Sequence, residues 1–138
     1  MKTLTEKKVD VSLRDEWLRT VDALQHQVTM WVADELEWSV SEGDDHQVEE
    51  EPLGIYTVTN VNIYTPEGRL VLEPIARNYP GRGIVELYAW PTLYRVRLIR
   101  DMTIGGWRVR TDSGISLRQE WNRESFVVLA NDLLAADA

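Results

Sequence analysis

Residues 84–99, with the sequence IVELYAWPTLYRVRLI, indicate a β-hairpin more clearly than any other stretch of the chain. Apolar and polar side chains alternate on both sides of Pro91 and Thr92, as they do in half-buried strands. A two-residue turn at that point pairs residues 84–90 with residues 93–99. The sequence therefore predicts two antiparallel strands whose register the turn fixes.

The two faces of this hairpin differ in their chemistry. One face is entirely apolar, whereas the other places Glu86 opposite Arg97 and Tyr88 opposite Arg95. An ion pair and a cation–π contact both stabilise cross-strand neighbours. Because alternation and pair chemistry agree, we expect this register in the folded protein.

The surrounding region is rich in Val, Ile, Tyr, Thr and Trp and is interrupted by turn residues every 8 to 12 positions. Such short connections force neighbouring strands to be antiparallel. We expect an α+β fold with a six-stranded antiparallel meander, which forms either a strongly curved sheet or a barrel-like, cupin-like structure. The predicted strands are at about 55–65, 69–77, 83–90, 93–101, 106–111 and 115–121.

Helices are predicted at both ends of this β core, which spans residues 55–121. Ser12 and Asp15 resemble an N-cap and its acidic N3 residue, and spacings of four and three separate the apolar residues that follow. These are Trp17, Val21, Leu24, Val28 and Trp31. The pattern predicts a long helix over 13–37, and Asn122 begins a second amphipathic helix over 122–136.

Residues 39–54 contain many acidic side chains and show no apolar period. Blocks of like charge are typical of solvated segments, so this part is interpreted as an exposed acidic linker. Its carboxylates match no calcium-loop spacing, and no metal site is expected there.

The length of 138 residues suits a single domain over 1–138. The N-terminal residues lack the apolar region of a signal peptide, and no apolar run is long enough to cross a bilayer, so we expect a soluble cytoplasmic protein without membrane partners. The absence of cysteine excludes disulfides and thiol catalysis. A net charge of −8 disfavours nucleic-acid binding.

Charge is distributed unevenly along the chain. Residues 1–54 contain 14 Asp and Glu against 5 Lys and Arg, whereas residues 55–126 contain 7 acidic residues against 10 arginines. In the last predicted hairpin, a loop of three residues places Arg108 directly opposite Arg118, an unfavourable pair of like charges. The predicted anion- or partner-binding face consists of Arg95, Arg97, Arg108, Arg110, Arg118, Trp90 and Tyr88.

Two interpretations of this arginine face follow from the sequence. Either Glu86, Asp101, Glu120 or the acidic linker neutralise it within the fold, or it faces an anionic small molecule or an acidic protein. We therefore expect a non-enzymatic binding or interaction module. No catalytic residue, cofactor or metal is predicted.

Two other classes of function stay open. An enzyme would use a buried carboxylate such as Glu73 or Glu120 as acid or base within a β pocket. A structural or assembly protein would form a homodimer through the long helix or an unprotected edge strand. The two histidines, His26 and His46, lie outside the predicted strands and provide no set of metal ligands.

Residues 78–91 (NYPGRGIVELYAWP) and residues 111–122 (TDSGISLRQEWN) resemble a small uncharacterised family from cyanobacteria. The resemblance covers about the C-terminal half of the chain. It implies a curved or cupin-like β core and no particular activity. The histidine and glutamate pattern of metal-binding cupins is absent, so no metal ligands are implied.

Overall fold

The computed structural model describes residues 8–78, 83–91, 94–111 and 120–136. Six strands form one antiparallel sheet in chain order, and two helices contribute to a core on one of its faces. The elements are α1 (Val11–Ala33), β1 (Ser39–Glu50), β2 (Gly54–Thr65), β3 (Gly68–Ala76), β4 (Ile84–Trp90), β5 (Arg95–Asp101), β6 (Gly106–Thr111) and α2 (Arg123–Ala135).

The predicted α+β class and six-stranded antiparallel meander are confirmed. Within the described ranges β1 and β6 do not pair with each other, so the sheet is open and the barrel alternative is wrong. Five of the six predicted strands correspond to β2 to β6, whereas β1 was not predicted as a strand. Residues 112–119, which hold most of the expected strand at 115–121, lie outside the described residues.

The acidic segment 39–54, predicted as a linker, instead forms strand β1 and the turn that follows it. β1 pairs with β2 along its length, with a bulge between Glu42 and Asp45. An edge strand needs only one hydrogen-bonded neighbour, so it can leave most of its side chains in water. Val40 and Val48 nevertheless pack against the core. The prediction failed because carboxylates on both faces of this strand mask its weak alternation.

Helix α1 begins and ends earlier than predicted. The Asp10 side chain, rather than that of Ser12, accepts a hydrogen bond from the Leu13 backbone N–H at 2.9 Å and so caps the helix. The helix ends at Ala33 instead of residue 37. In α2 the predicted cap is confirmed, because the side chains of Asn122 and Ser125 each accept the other's backbone N–H.

The core lies between the helices and the apolar face of the sheet. Trp17 and Phe126 are its largest fully buried side chains. α1 packs most closely against β1 and β2, and α2 against β3 and β4. Trp17 of α1 also contacts Trp107 of β6, and Glu16 of α1 binds Arg100 of β5. Within the described residues, neither helix has both the length and the apolar character needed to cross a membrane.

Candidate interaction surface

The outer face of the sheet is the face opposite the core, and the strand register orders its side chains into rows. We name two of them. The aromatic row consists of Tyr64, Arg69 and Trp90 on neighbouring strands β2, β3 and β4. The charged row crosses β3 to β6 as Glu73, Glu86, Arg97 and Arg110, so two acidic residues are followed by two basic residues.

The predicted register of the β4–β5 hairpin is confirmed. Glu86 lies opposite Arg97, and Tyr88 lies opposite Arg95. Glu86 is only 9% exposed, and its carboxylate accepts hydrogen bonds from Arg95 Nη1 at 2.7 Å and from Arg97 Nε at 3.3 Å. A carboxylate buried to this extent needs such charged donors. One acidic residue therefore binds two of the five predicted arginines.

Tyr88 connects this pair to Glu73. The Arg95 guanidinium carbon lies 4.1 Å from the centre of the Tyr88 ring, which confirms the predicted cation–π contact. The Tyr88 hydroxyl donates a hydrogen bond to Glu73 Oε1 at 2.9 Å. Burial, followed by this hydrogen bond to a carboxylate, raises the pKa of Tyr88 to about 12. The phenol is thus held in its neutral form.

The pKa of Arg95 is also changed by its contacts with Glu86, Tyr88 and Glu73. Burial lowers the pKa of its guanidinium, but the hydrogen bond and the charge of Glu86 outweigh that effect and leave the pKa above its ordinary value. Arg95 also lies 3.9 Å from Glu73. Its charge is therefore compensated within the protein.

Arg108 forms an ion pair with Asp101, close to the turn that connects β5 to β6. The hydrogen bond from Arg108, together with one from the Thr103 backbone N–H, holds the pKa of Asp101 below its usual range. The backbone of Arg108 bridges to Glu120. The predicted pairing of Arg108 with Arg118 falls outside the described residues, because Arg118 is not among them.

Two arginines do face each other across described strands, because Arg97 lies opposite Arg110. Arg97 uses its Nε atom to bind Glu86, and its side chain is 48% exposed. Arg110 is exposed, and within the described part of the chain no acidic side chain lies within salt-bridge distance of it. These two arginines give the charged row its exposed positive end on β5 and β6.

The aromatic row provides exposed rings beside this charge. Trp90 is 56% exposed and Tyr64 is 41% exposed. The guanidinium carbon of Arg69, between them, lies 4.9 Å from the Trp90 ring centre. Trp90 was predicted as part of the surface, whereas Tyr64 and Arg69 were not. Their positions require the β2–β3–β4 register, which links residues far apart in sequence.

The residues considered for an enzyme do not come together in a pocket. Glu73 lies on the outer face, and Glu120 is exposed. The described residues contain no group of three or more His, Asp or Glu side chains arranged to hold a metal ion. The Nε2 atom of His46, on β1, lies 3.1 Å from the carbonyl oxygen of Pro74.

No protein-family model, no curated protein and no solved structure matches this chain. The resemblance to a cyanobacterial family therefore gains no support from these comparisons, and the site must be interpreted from its own geometry.

Proposed function

We propose that the protein is a binding module whose outer sheet face holds an acidic segment of a protein partner. The observation that carries this proposal is the position of Arg97 directly opposite Arg110. Like charges in that position destabilise a strand pair, and an anion placed between them would relieve the repulsion. Arginine also offers a planar fork of donors that fits a carboxylate.

The aromatic row favours a protein segment over a small free anion. Trp, Tyr and Arg are the residues that most often dominate the binding energy of protein interfaces. Trp90 and Tyr64 lie on the same face as the two arginines, Trp90 on the strand next to that of Arg97 and Tyr64 two strands further on. A peptide chain has the length to contact both groups, whereas a phosphate or sulfate ion reaches only the arginines.

A fluorescent glutamate-rich peptide that also contains one aromatic residue tests this function. We expect binding that weakens as salt increases, because the contacting charges are exposed. Arg110→Gln is expected to weaken binding by about tenfold, which corresponds to one lost charged contact. Arg19→Gln is the matched control, since it removes the same charge from an exposed position on α1.

Equal losses in the two variants would contradict the proposal, because binding would then follow net charge alone. Sulfate provides the second comparison. If sulfate raises the melting temperature of the wild type more than that of Arg110→Gln, and the peptide does not bind, then the outer face is a small-anion site. A protein partner would be ruled out by that result.

We also propose that the sheet is strongly curved where β1 passes the end of β3. β2 separates these strands in the sheet, yet the Glu50 carboxylate accepts hydrogen bonds from the backbone N–H groups of Arg77 and Asn78 at 2.9 and 2.8 Å. His46 meets Pro74 in the same region. Such contacts across an intervening strand support a sheet that folds over at this corner.

A further inference from the structure

A second candidate site lies on the opposite side of the molecule from the outer face. A cleft of about 360 Å³ separates helix α1 from the β5–β6 turn. This volume falls at the small end of the range for ligand pockets. Its lining consists of Thr20, Ala23, Leu24, Gln27, Gly105, Gly106, Trp107 and Trp121.

This cleft is unusual in its lack of charge. Charged residues make up 28% of the chain, yet none of the residues that line the cleft, all of them described, is charged. Ala23, Gly105 and Gly106 carry no side chain beyond a methyl group, so they leave its mouth clear. A charged ligand would contact no charged side chain of the lining, and the nearby Glu16 and Arg100 already neutralise each other. The lining therefore selects a neutral molecule.

Two indole rings provide the apolar surface of the cleft. The Trp107 ring lies 6.3 Å from that of Trp17, and the Trp121 ring lies 5.2 Å from that of Trp31, measured between ring centres. Each indole is thus held in place by a neighbouring aromatic ring. Rings fixed in this way are suited to stacking with a flat ligand.

One hydrogen-bonding group in the cleft has a fixed orientation. Gln27 Oε1 accepts a hydrogen bond from Trp121 Nε1 at 2.9 Å, so the amide nitrogen of Gln27 keeps both of its donors available. The Thr20 hydroxyl is already engaged by Glu16 and Arg100. Among the side chains of the lining, the Gln27 amide is therefore the one whose donors are open to a ligand.

We infer that this cleft binds a small, uncharged heteroaromatic ring that carries a hydrogen-bond acceptor on its edge. The partly exposed Trp121 indole stacks against the ring, the nearly buried Trp107 adds apolar contact, and Gln27 Nε2 donates to the acceptor. A sugar fits less well, because most of its hydroxyl groups would lose water without gaining a partner. The inference is independent of the proposed function, since the two surfaces lie on opposite faces of the sheet.

The test uses nicotinamide, caffeine and uracil as neutral probes, each titrated into the ¹⁵N-labelled full chain. We expect at least one to shift the indole N–H signal of Trp121 and the side-chain amide signals of Gln27. Nicotinate differs from nicotinamide chiefly in its negative charge and is expected to produce much smaller shifts. Glucose is the probe for a saccharide site.

Two variants localise the binding. Ala23→Phe fills the mouth of the cleft from an exposed helix position, and Gln27→Met removes the amide while keeping the length of the side chain. Each is expected to weaken probe binding by about tenfold. Val128→Phe adds the same ring as Ala23→Phe at an exposed position of α2 and should leave binding unchanged.

Three results would overturn the inference. The first is the absence of shifts at Trp121 and Gln27 with all three neutral probes at millimolar concentration. The second is binding of glucose in their place. The third is unchanged affinity in folded Ala23→Phe and Gln27→Met, which would place the probe elsewhere.

Discussion

Glu86 organises the outer face at the scale of single residues. Its nearly buried carboxylate lies opposite a second acidic residue, Glu73, so the two would repel each other without compensation. Arg95 and Arg97 bind Glu86, and the Tyr88 hydroxyl binds Glu73. Within the charged row, these contacts leave Arg110 and the outer part of Arg97 as positive charge exposed to solvent.

Because of Tyr88, the stability of the protein is expected to decrease as the pH rises in the alkaline range. Its pKa is about 12, above the ordinary value of 10.0, so the unfolded chain loses the phenolic proton first as pH rises. The contribution of Tyr88 is fully present below pH 10 and is lost as the pH rises through about 12. We expect the free energy of unfolding to fall across this range.

Denaturant unfolding between pH 9 and about 11.5 measures this loss. Tyr88→Phe should reduce its slope with pH, and Tyr94→Phe, which changes an exposed tyrosine, is the control. Some slope should persist in Tyr88→Phe, because burial and Glu50 also raise the pKa of Tyr56. Identical slopes in the wild type and in Tyr88→Phe would disprove the role of Tyr88.

At the scale of elements, one carboxylate adds to the pairing of β1 with β2 by joining the end of β1 to the chain that follows β3. Glu50 accepts hydrogen bonds from the Tyr56 hydroxyl at 2.5 Å and from the backbone N–H groups of Arg77 and Asn78. These contacts join the end of β1 to the chain that follows β3. No side chain of β1 is fully buried. We therefore expect the hydrogen bonds of Glu50 to contribute more to the stability of β1 than the intrinsic strand propensity of its residues.

Glu50→Gln should destabilise the protein by about 1 to 3 kcal/mol, since an amide replaces one acceptor oxygen with a donor that faces N–H groups. Glu49→Gln makes the same change at an exposed neighbouring position and should have little effect. Hydrogen exchange should increase first in β1 and in the first half of β2. Uniform exchange over the whole sheet would show that β1 is not a separately attached element.

The strands differ in how much of their pairing could be predicted from the sequence. The β4–β5 hairpin was predictable because a short turn, alternation and ion pairing all specify one register. The partner of Arg108 was not predictable from alternation. Alternation does not distinguish Glu120, the bridge partner of Arg108 in the described residues, from a residue two positions earlier, because side chains two apart in a strand share a face. Tyr64 and Arg69 were missed because only the assembled sheet brings them beside Trp90.

At the scale of the whole molecule, α1 is fixed to the sheet through Trp17, Gly83 and Arg100. Gly83 has a φ of 124°, and a Cβ atom there would lie 2.4 Å from the Trp17 ring. Arg100 stacks on Trp17 and binds Glu16 at 2.8 Å. Burial raises the pKa of Glu16, but hydrogen bonds from Arg100 and Thr20 outweigh it and keep the pKa below its usual value.

Gly83→Ala should therefore destabilise the protein by about 3 kcal/mol, because both the backbone and the indole must move. Gly105→Ala is the matched control. Its φ of 68° is also positive, but an added Cβ meets no atom within 4 Å, so a loss of about 1 kcal/mol is expected. Urea unfolding compares the two, and equal losses would show that the contact with Trp17 contributes nothing.

The acidic edge strand β1 affects how the protein associates with other copies of itself in concentrated solution. An open sheet can recruit strands from other molecules, and long uncharged edges are where such growth into fibrils begins. β1 presents Glu42, Asp44, Asp45 and Glu49 to solvent and is interrupted by a bulge. A second copy that approached this edge would meet the same row of carboxylates, so repulsion prevents the sheet from growing on that side.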